Sequence, residues 1–182
     1  MTDHRELGRS LNGLVWQLLA RTDRTADDDA RMVDAAHASQ YHWREGGGPP
    51  ATRGEWLVSH VYAVLGRAEP ALHHARRCLE LAESETSAAN PTYAERELKV
   101  AESSHANERE PRVADFDHAY AAEAMARALA CAGDLEQAAT WHARATAAGK
   151  AIADEEDREI FTGDLTTGPW FGLPAAASTP VE

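Results

Sequence analysis

Two stretches of this chain, Tyr62 to Cys78 and Leu129 to Ala145, carry the same residue types at the positions that shape a helical hairpin. In each, a glycine (Gly66, Gly133) closes an apolar-periodic helix. An alanine (Ala71, Ala138) follows five residues on, and a second small residue (Cys78, Ala145) comes seven beyond that. Just past a helix end the backbone often turns left-handed, a conformation readily reached only without a Cβ, which accounts for the glycine. Small residues on the second helix let its backbone approach the first. A chain that states one hairpin twice is constrained to an all-α fold of antiparallel helical pairs. No Val/Ile/Thr-rich run alternates with a period of two, which argues against a sheet.

The helical period continues on both sides of the matched pair. Leu11, Leu14, Val15, Leu18 and Leu19 recur behind Ser10 and predict a first helix to about Arg21. Thr25 opens a second, in which Asp27, Asp28 and Asp29 complement the positive end of the helix dipole and Met32, Val33, Ala36 and Tyr41 carry the pattern to Trp43. Three glycines and two prolines make residues 45–51 a loop. Thr52 and Glu55 form a capping-box pattern for a third helix ending at Gly66; Pro70 suits the first turn of a fourth, lasting to about Glu83. Residues 84–111, punctuated by Asn90-Pro91 and Pro111, read as an inserted excursion with a short helix over Tyr93–Ser104. A fifth helix is expected from about Arg112 to Cys131, and a sixth after Gly133, with Asp134 and Gln137 as its capping pair. A charged helix follows over Asp154–Leu165. One domain thus spans residues 1–165, and 166–182 form an irregular tail whose Trp170 and Phe171 dock on the body.

Charge narrows the partners. The 182 residues carry a formal charge of -12, and Lys99 and Lys150 are the only lysines. Such a field repels phosphate backbones and anionic membranes, so neither nucleic acid nor membrane is an expected partner. The start, MTDHRELGRS, lacks an apolar stretch after its charges, and no run of about 18 apolar residues occurs. A soluble, cytoplasmic protein is the expectation. Cys78 and Cys131 fall at core-like positions, where cysteine behaves as a small hydrophobe, and imply no disulfide.

The spacing of Val58, Tyr62, Gly66, Ala71 and Cys78, repeated by Met125, Leu129, Gly133, Ala138 and Ala145, resembles the tetratricopeptide repeat, a helix-turn-helix unit of about 34 residues. The strings AAHASQYHW, RGEWLVSHVYAVLGRAEPALHHARRCLEL and DFDHAYAAEAMARALACAGD also resemble an uncharacterised group of bacterial tetratricopeptide-like proteins. The resemblance covers about residues 10–165 apart from the excursion. It implies antiparallel hairpins stacked as a short right-handed superhelix, with the first helix of each hairpin lining a concave groove. In that group the fourth helix leads almost directly into the DFD segment, so residues 84–111 are a departure, assigned here to a flap. Such repeats host many partners, and the function implied is binding of a peptide segment or a small acidic or aromatic molecule.

Laying the concave face onto this chain selects Arg53, Trp56 and His60 on the third helix, Tyr120, Glu123 and Arg127 on the fifth, and Asn12 and Trp16 on the first. Spacings of three and four put each set on one helical face. The two arginines offer a clamp for a carboxylate, and the rings offer a surface for an apolar body or a cation. The competing expectation is a small enzyme. His60 with Glu123 would serve acid-base chemistry. Alternatively a divalent transition metal would sit between two Asp-x-x-His pairs, Asp34 with His37 and Asp115 with His118, completed by Glu55, Glu69 or Glu123. The bland alternative for His37 is a hydrogen bond to Asp34 or Tyr41 within the first hairpin, and His73 and His74 read as outer-surface decoration. A purely structural subunit is the third possibility, with Trp170 to Leu173 closing on a second copy. No Gly-rich phosphate loop, Cys-x-x-Cys or Gly-x-Ser-x-Gly elbow is present.

Overall fold

The computed structural model describes residues 3–46, 51–87 and 113–173, and these fold into seven helices without a strand. They are α1 (His4–Leu19), α2 (Ala26–Gly46), α3 (Ala51–Val64), α4 (Ala68–Ser87), α5 (Asp115–Cys131), α6 (Leu135–Lys150) and α7 (Glu155–Thr166). Successive helices pair into three hairpins, α1 with α2, α3 with α4 and α5 with α6. Neighbouring hairpins join through α2 on α3 and through α5 on both α3 and α4, while α7 closes the end against α5 and α6. No described helix is long and apolar enough to cross a membrane.

The two matched turns adopt one geometry. Gly66 and Gly133 sit at φ +68° and +83°. After Gly66 the Arg67 N–H donates to the Tyr62 carbonyl at 2.9 Å, and after Gly133 the Asp134 N–H donates to the Leu129 carbonyl at 3.0 Å. These are paired Schellman closures, which satisfy carbonyls that a helix end would leave bare. The small residues also match their role: Ala71, Ala138, Cys78 and Ala145 are all buried. At the α3–α4 contact the backbones come close enough for Ser59 Oγ to donate to the Ala71 carbonyl at 3.0 Å and for the Cys78 thiol to reach the Thr52 carbonyl at 3.3 Å.

Helix starts follow side-chain oxygens. Asp3, rather than Ser10, caps α1 by accepting the Glu6 N–H at 3.0 Å, so this helix begins two turns earlier than the leucine spacing suggests. The opening of α2 is a reciprocal box, with Thr25 Oγ1 accepting the Asp28 N–H and the Asp28 carboxylate accepting the Thr25 N–H at 3.0 Å. The box expected from Thr52 and Glu55 does not form. Helix α3 already starts at Ala51, which places Thr52 inside it, and Glu55 lies 2.7 Å from His74 instead. Helix α4 runs past Glu83 to Ser87. Beyond residue 87, the excursion with its Tyr93–Ser104 helix and flap lies outside the described residues, as do 174–182 of the tail.

Four apolar clusters fill the interior. Val15, Leu18, Met32, Leu57, Val58 and Val61 join the first two hairpins, while Ala71, Ala75, Met125, Leu129 and Ala138 join the second and third. Leu173 of the tail belongs to the latter cluster, so the tail docks there while Phe171 stays exposed. Trp56 packs against three of the four clusters. Replacing Gly66 or Gly133 by alanine should cost about 1–2 kcal/mol each, the strain of a Cβ in a left-handed backbone. Urea unfolding with an unchanged slope would show it.

Candidate functional site

Helix α5 positions everything that follows, because it packs against α3, α4, α6 and α7 at once. Seven alanines between Ala119 and Ala130 are buried, so small side chains bring neighbours close on nearly every side. Across this apolar surface runs one polar stripe, Asp117, Tyr120, Glu123 and Arg127, at spacings of three and four. Each of its members is committed to a partner on another element or on the stripe itself.

Asp117 accepts two hydrogen bonds from the Arg53 guanidinium of α3, from Nε at 2.8 Å and from Nη2 at 3.2 Å, and also receives the Ala114 N–H at 2.8 Å. The same guanidinium lies over the Phe116 ring, 4.6 Å from its centre. Tyr120 donates to Asp164 of α7 at 2.6 Å. Burial, and then that hydrogen bond, push the phenol well above its ordinary range, so it remains a donor at neutral pH.

Glu123 and Arg127, each only 1% exposed, form an ion pair through Arg127 Nε and Glu123 Oε1. Trp56 donates its indole N–H to the other carboxylate oxygen at 2.8 Å. The remaining guanidinium nitrogens donate to the carbonyls of Thr167 at 3.0 Å, Pro169 at 3.3 Å and Asp164 at 3.4 Å, and the Trp170 ring covers the guanidinium at 4.2 Å. Arg127, expected in an open groove as half of a carboxylate clamp, is therefore an internal anchor for the tail. Glu123 likewise faces Trp56 and Arg127.

Beside the first half of this stripe lies a cavity of about 400 Å³. Trp16 of α1, Trp56 of α3, and Phe116 and Tyr120 of α5 supply four aromatic rings to its wall. Cys78 and Ile160 add apolar surface, and Arg53, Asp117, Asp164 and Thr52 add polar groups. Trp16 and Trp56 stack with ring centres 6.0 Å apart, and Tyr120 meets Trp56 edge-on at 5.0 Å. Thr52 is 2% exposed and its hydroxyl has no hydrogen-bond partner among the described residues. A buried hydroxyl in that condition is costly unless something else meets it.

Of the eight residues selected from the sequence, Trp16, Arg53, Trp56 and Tyr120 thus line one cavity. His60 stands just outside the lining, stacked on Trp56 with ring centres 5.0 Å apart and next to Trp16 at 6.2 Å. Burial lowers its pKa from 6.5 to about 4, so the ring is neutral at pH 7, with Nδ1 buried and without a hydrogen-bond partner among the described residues. Asn12 is half-buried one turn before Trp16 and does not line the cavity. Sequence reasoning missed Thr52, taken for a cap, and Asp117, which lies on the Tyr120–Glu123–Arg127 face three residues earlier. Phe116, Ile160 and Asp164 had no local signal at all.

The two Asp-x-x-His pairs take separate partners. His37 Nε2 lies 2.9 Å from the Tyr62 hydroxyl, not on Asp34 or Tyr41, and its ring meets His74 at 5.3 Å. Asp115 accepts the Ala153 N–H at 2.8 Å, tying the α6–α7 connection to α5. Of the carboxylates considered as completing a metal set, Glu55 and Glu123 are held by His74 and Arg127, and Glu69 is exposed. Among the described residues no group of three or more His, Cys, Asp or Glu is placed to hold a metal ion. His74 also departs from the outer surface expected for it, turning inward onto Glu55, whereas His73 is exposed.

Arg127→Met should destabilise the fold by about 3–5 kcal/mol, because it leaves Glu123 buried without a counter-charge. Adding Glu123→Leu to that variant should recover part of the loss in urea unfolding. His60 is protonated later in the folded than in the unfolded chain, so the stability it contributes is complete above pH 6.5 and is lost as pH falls toward about 4. His60→Gln should flatten stability across that window relative to the unmodified protein. Compared with protein-family models, curated proteins and solved structures, the chain finds no match in any of the three.

Proposed function

We propose that this protein is a binding module, a short tetratricopeptide-like stack of hairpins that holds one compact small molecule in the cavity between α1, α3, α5 and α7. The observation that carries this is the conjunction, around one space of about 400 Å³, of four aromatic rings and the buried Thr52, whose hydroxyl has no hydrogen-bond partner among the described residues. Sites for small molecules typically occupy about 300–1,000 Å³, with mostly apolar walls and a few polar groups that fix orientation. That size favours a compact ligand over an extended peptide segment. Acid-base chemistry by His60 and Glu123 draws less support, since neither residue lines the cavity and Glu123 is already engaged by Trp56 and Arg127.

The rigidity of the wall supports the same function. Arg53 with Asp117 ties α3 to α5, and Tyr120 with Asp164 ties α5 to α7, so the rings are positioned before any ligand arrives. Trp16 is the exception. It is 42% exposed on the outermost hairpin and stands where a ligand would enter. A screen of small aromatic compounds, read by shifts of the Trp16 and Trp56 indole N–H resonances, should find saturable binders. Trp16→Ala should weaken any of them about tenfold, the effect of losing one ring contact of about 1.4 kcal/mol, with little change in the unfolding midpoint. Absence of any compound that perturbs both indoles would defeat the proposal.

A further inference from the structure

The charged groups on the cavity wall are unequal in what they have left to offer. Among the described residues Arg53 is the only cation there, and Asp117 and Phe116 already occupy it. Asp117 is spent in return. Asp164 differs: only its Oδ2 receives a hydrogen bond, from Tyr120, and among the described residues Oδ1 receives none. One carboxylate with spare accepting capacity therefore faces a space with four aromatic rings in its wall. Ring faces carry negative potential and attract cations, as the Arg53 guanidinium over Phe116 shows within this same wall. The formal charge of -12 adds a long-range field of the same sign.

We infer that the ligand is an organic monocation, an ammonium group on a compact apolar body, with its charge seated among Trp16, Trp56, Tyr120 and Asp164. The inference rests on the cavity being a binding site and goes further by assigning the sign of its occupant. It reverses the acidic ligand that two free arginines would have suited, since Arg127 is internal and Arg53 is paired. Thr52 supplies a second, independent mark of a ligand here. It lines the cavity, and its Oγ1 is buried with no hydrogen-bond partner among the described residues.

Three probes of similar size separate the possibilities: benzylammonium, neutral benzyl alcohol and the anion phenylacetate, each titrated at pH 7 while the Trp16 and Trp56 indole resonances are followed. Benzylammonium should bind at least tenfold more tightly than benzyl alcohol, and phenylacetate should give no saturable shift. Asp164→Asn keeps a carbonyl oxygen for Tyr120 and removes the charge. It should erase most of the cation's advantage over the alcohol. Equal binding of cation and alcohol, or tighter binding of phenylacetate, would overturn the charge assignment while the cavity remained a site. Failure of all three to move either indole would overturn both.

Discussion

The buried pair of Glu123 and Arg127 is the interaction on which the rest of the structure depends. Two opposite charges removed from water are stable only when every remaining donor and acceptor is met, because desolvation otherwise exceeds their attraction. Here the guanidinium donates to the carboxylate and to carbonyls at 164, 167 and 169, and the carboxylate also accepts from the Trp56 indole. Satisfying one ion pair thereby fixes three elements: α3 through Trp56, the end of α7 through Asp164, and the chain that follows. Trp170 seals the arrangement by covering the guanidinium and packing edge-on against His142 at 4.8 Å.

The cavity follows from that arrangement. Trp56 uses its N–H inward, which leaves its ring to form wall on the other side. Tyr120, one turn before Glu123 on α5, is held on Asp164 and so cannot collapse into the space. Arg53 and Asp117 do the same a turn earlier. Committed polar contacts hold the aromatic rings in the wall, and the alanines of α5 add no bulk that would fill the gap. Among the described residues, the Thr52 hydroxyl, His60 Nδ1 and Oδ1 of Asp164 are left without a hydrogen bond.

Much of this was legible residue by residue, and the limits were physical. The helix periods were readable, as were the Gly66 and Gly133 closures, the small residues of the second helices and the aromatic and charged faces of α3 and α5. Each of these is a local consequence of side-chain type and spacing. Capping was less secure: Thr52 with Glu55 has the same pattern as Thr25 with Asp28, yet only the latter forms a box, because packing on α4 draws Glu55 to His74. The arginines misled for a related reason. Spacing places Arg127 on a face and says nothing of whether that face meets solvent or a returning tail.

The sequence by itself therefore determined the helices, the two closing turns and the Tyr120–Glu123–Arg127 face of α5, since these arise from interactions between residues three to seven apart. Only the tertiary structure decided which stripe residues became anchors and which became wall. Arg53 meets Asp117, Trp56 meets Glu123, and Arg127 meets the chain near residue 167, each across a long stretch of sequence. No local period encodes such meetings. They exist because stacked hairpins bring distant faces within hydrogen-bond reach, and because a buried charge is tolerated only where those faces complete its partners.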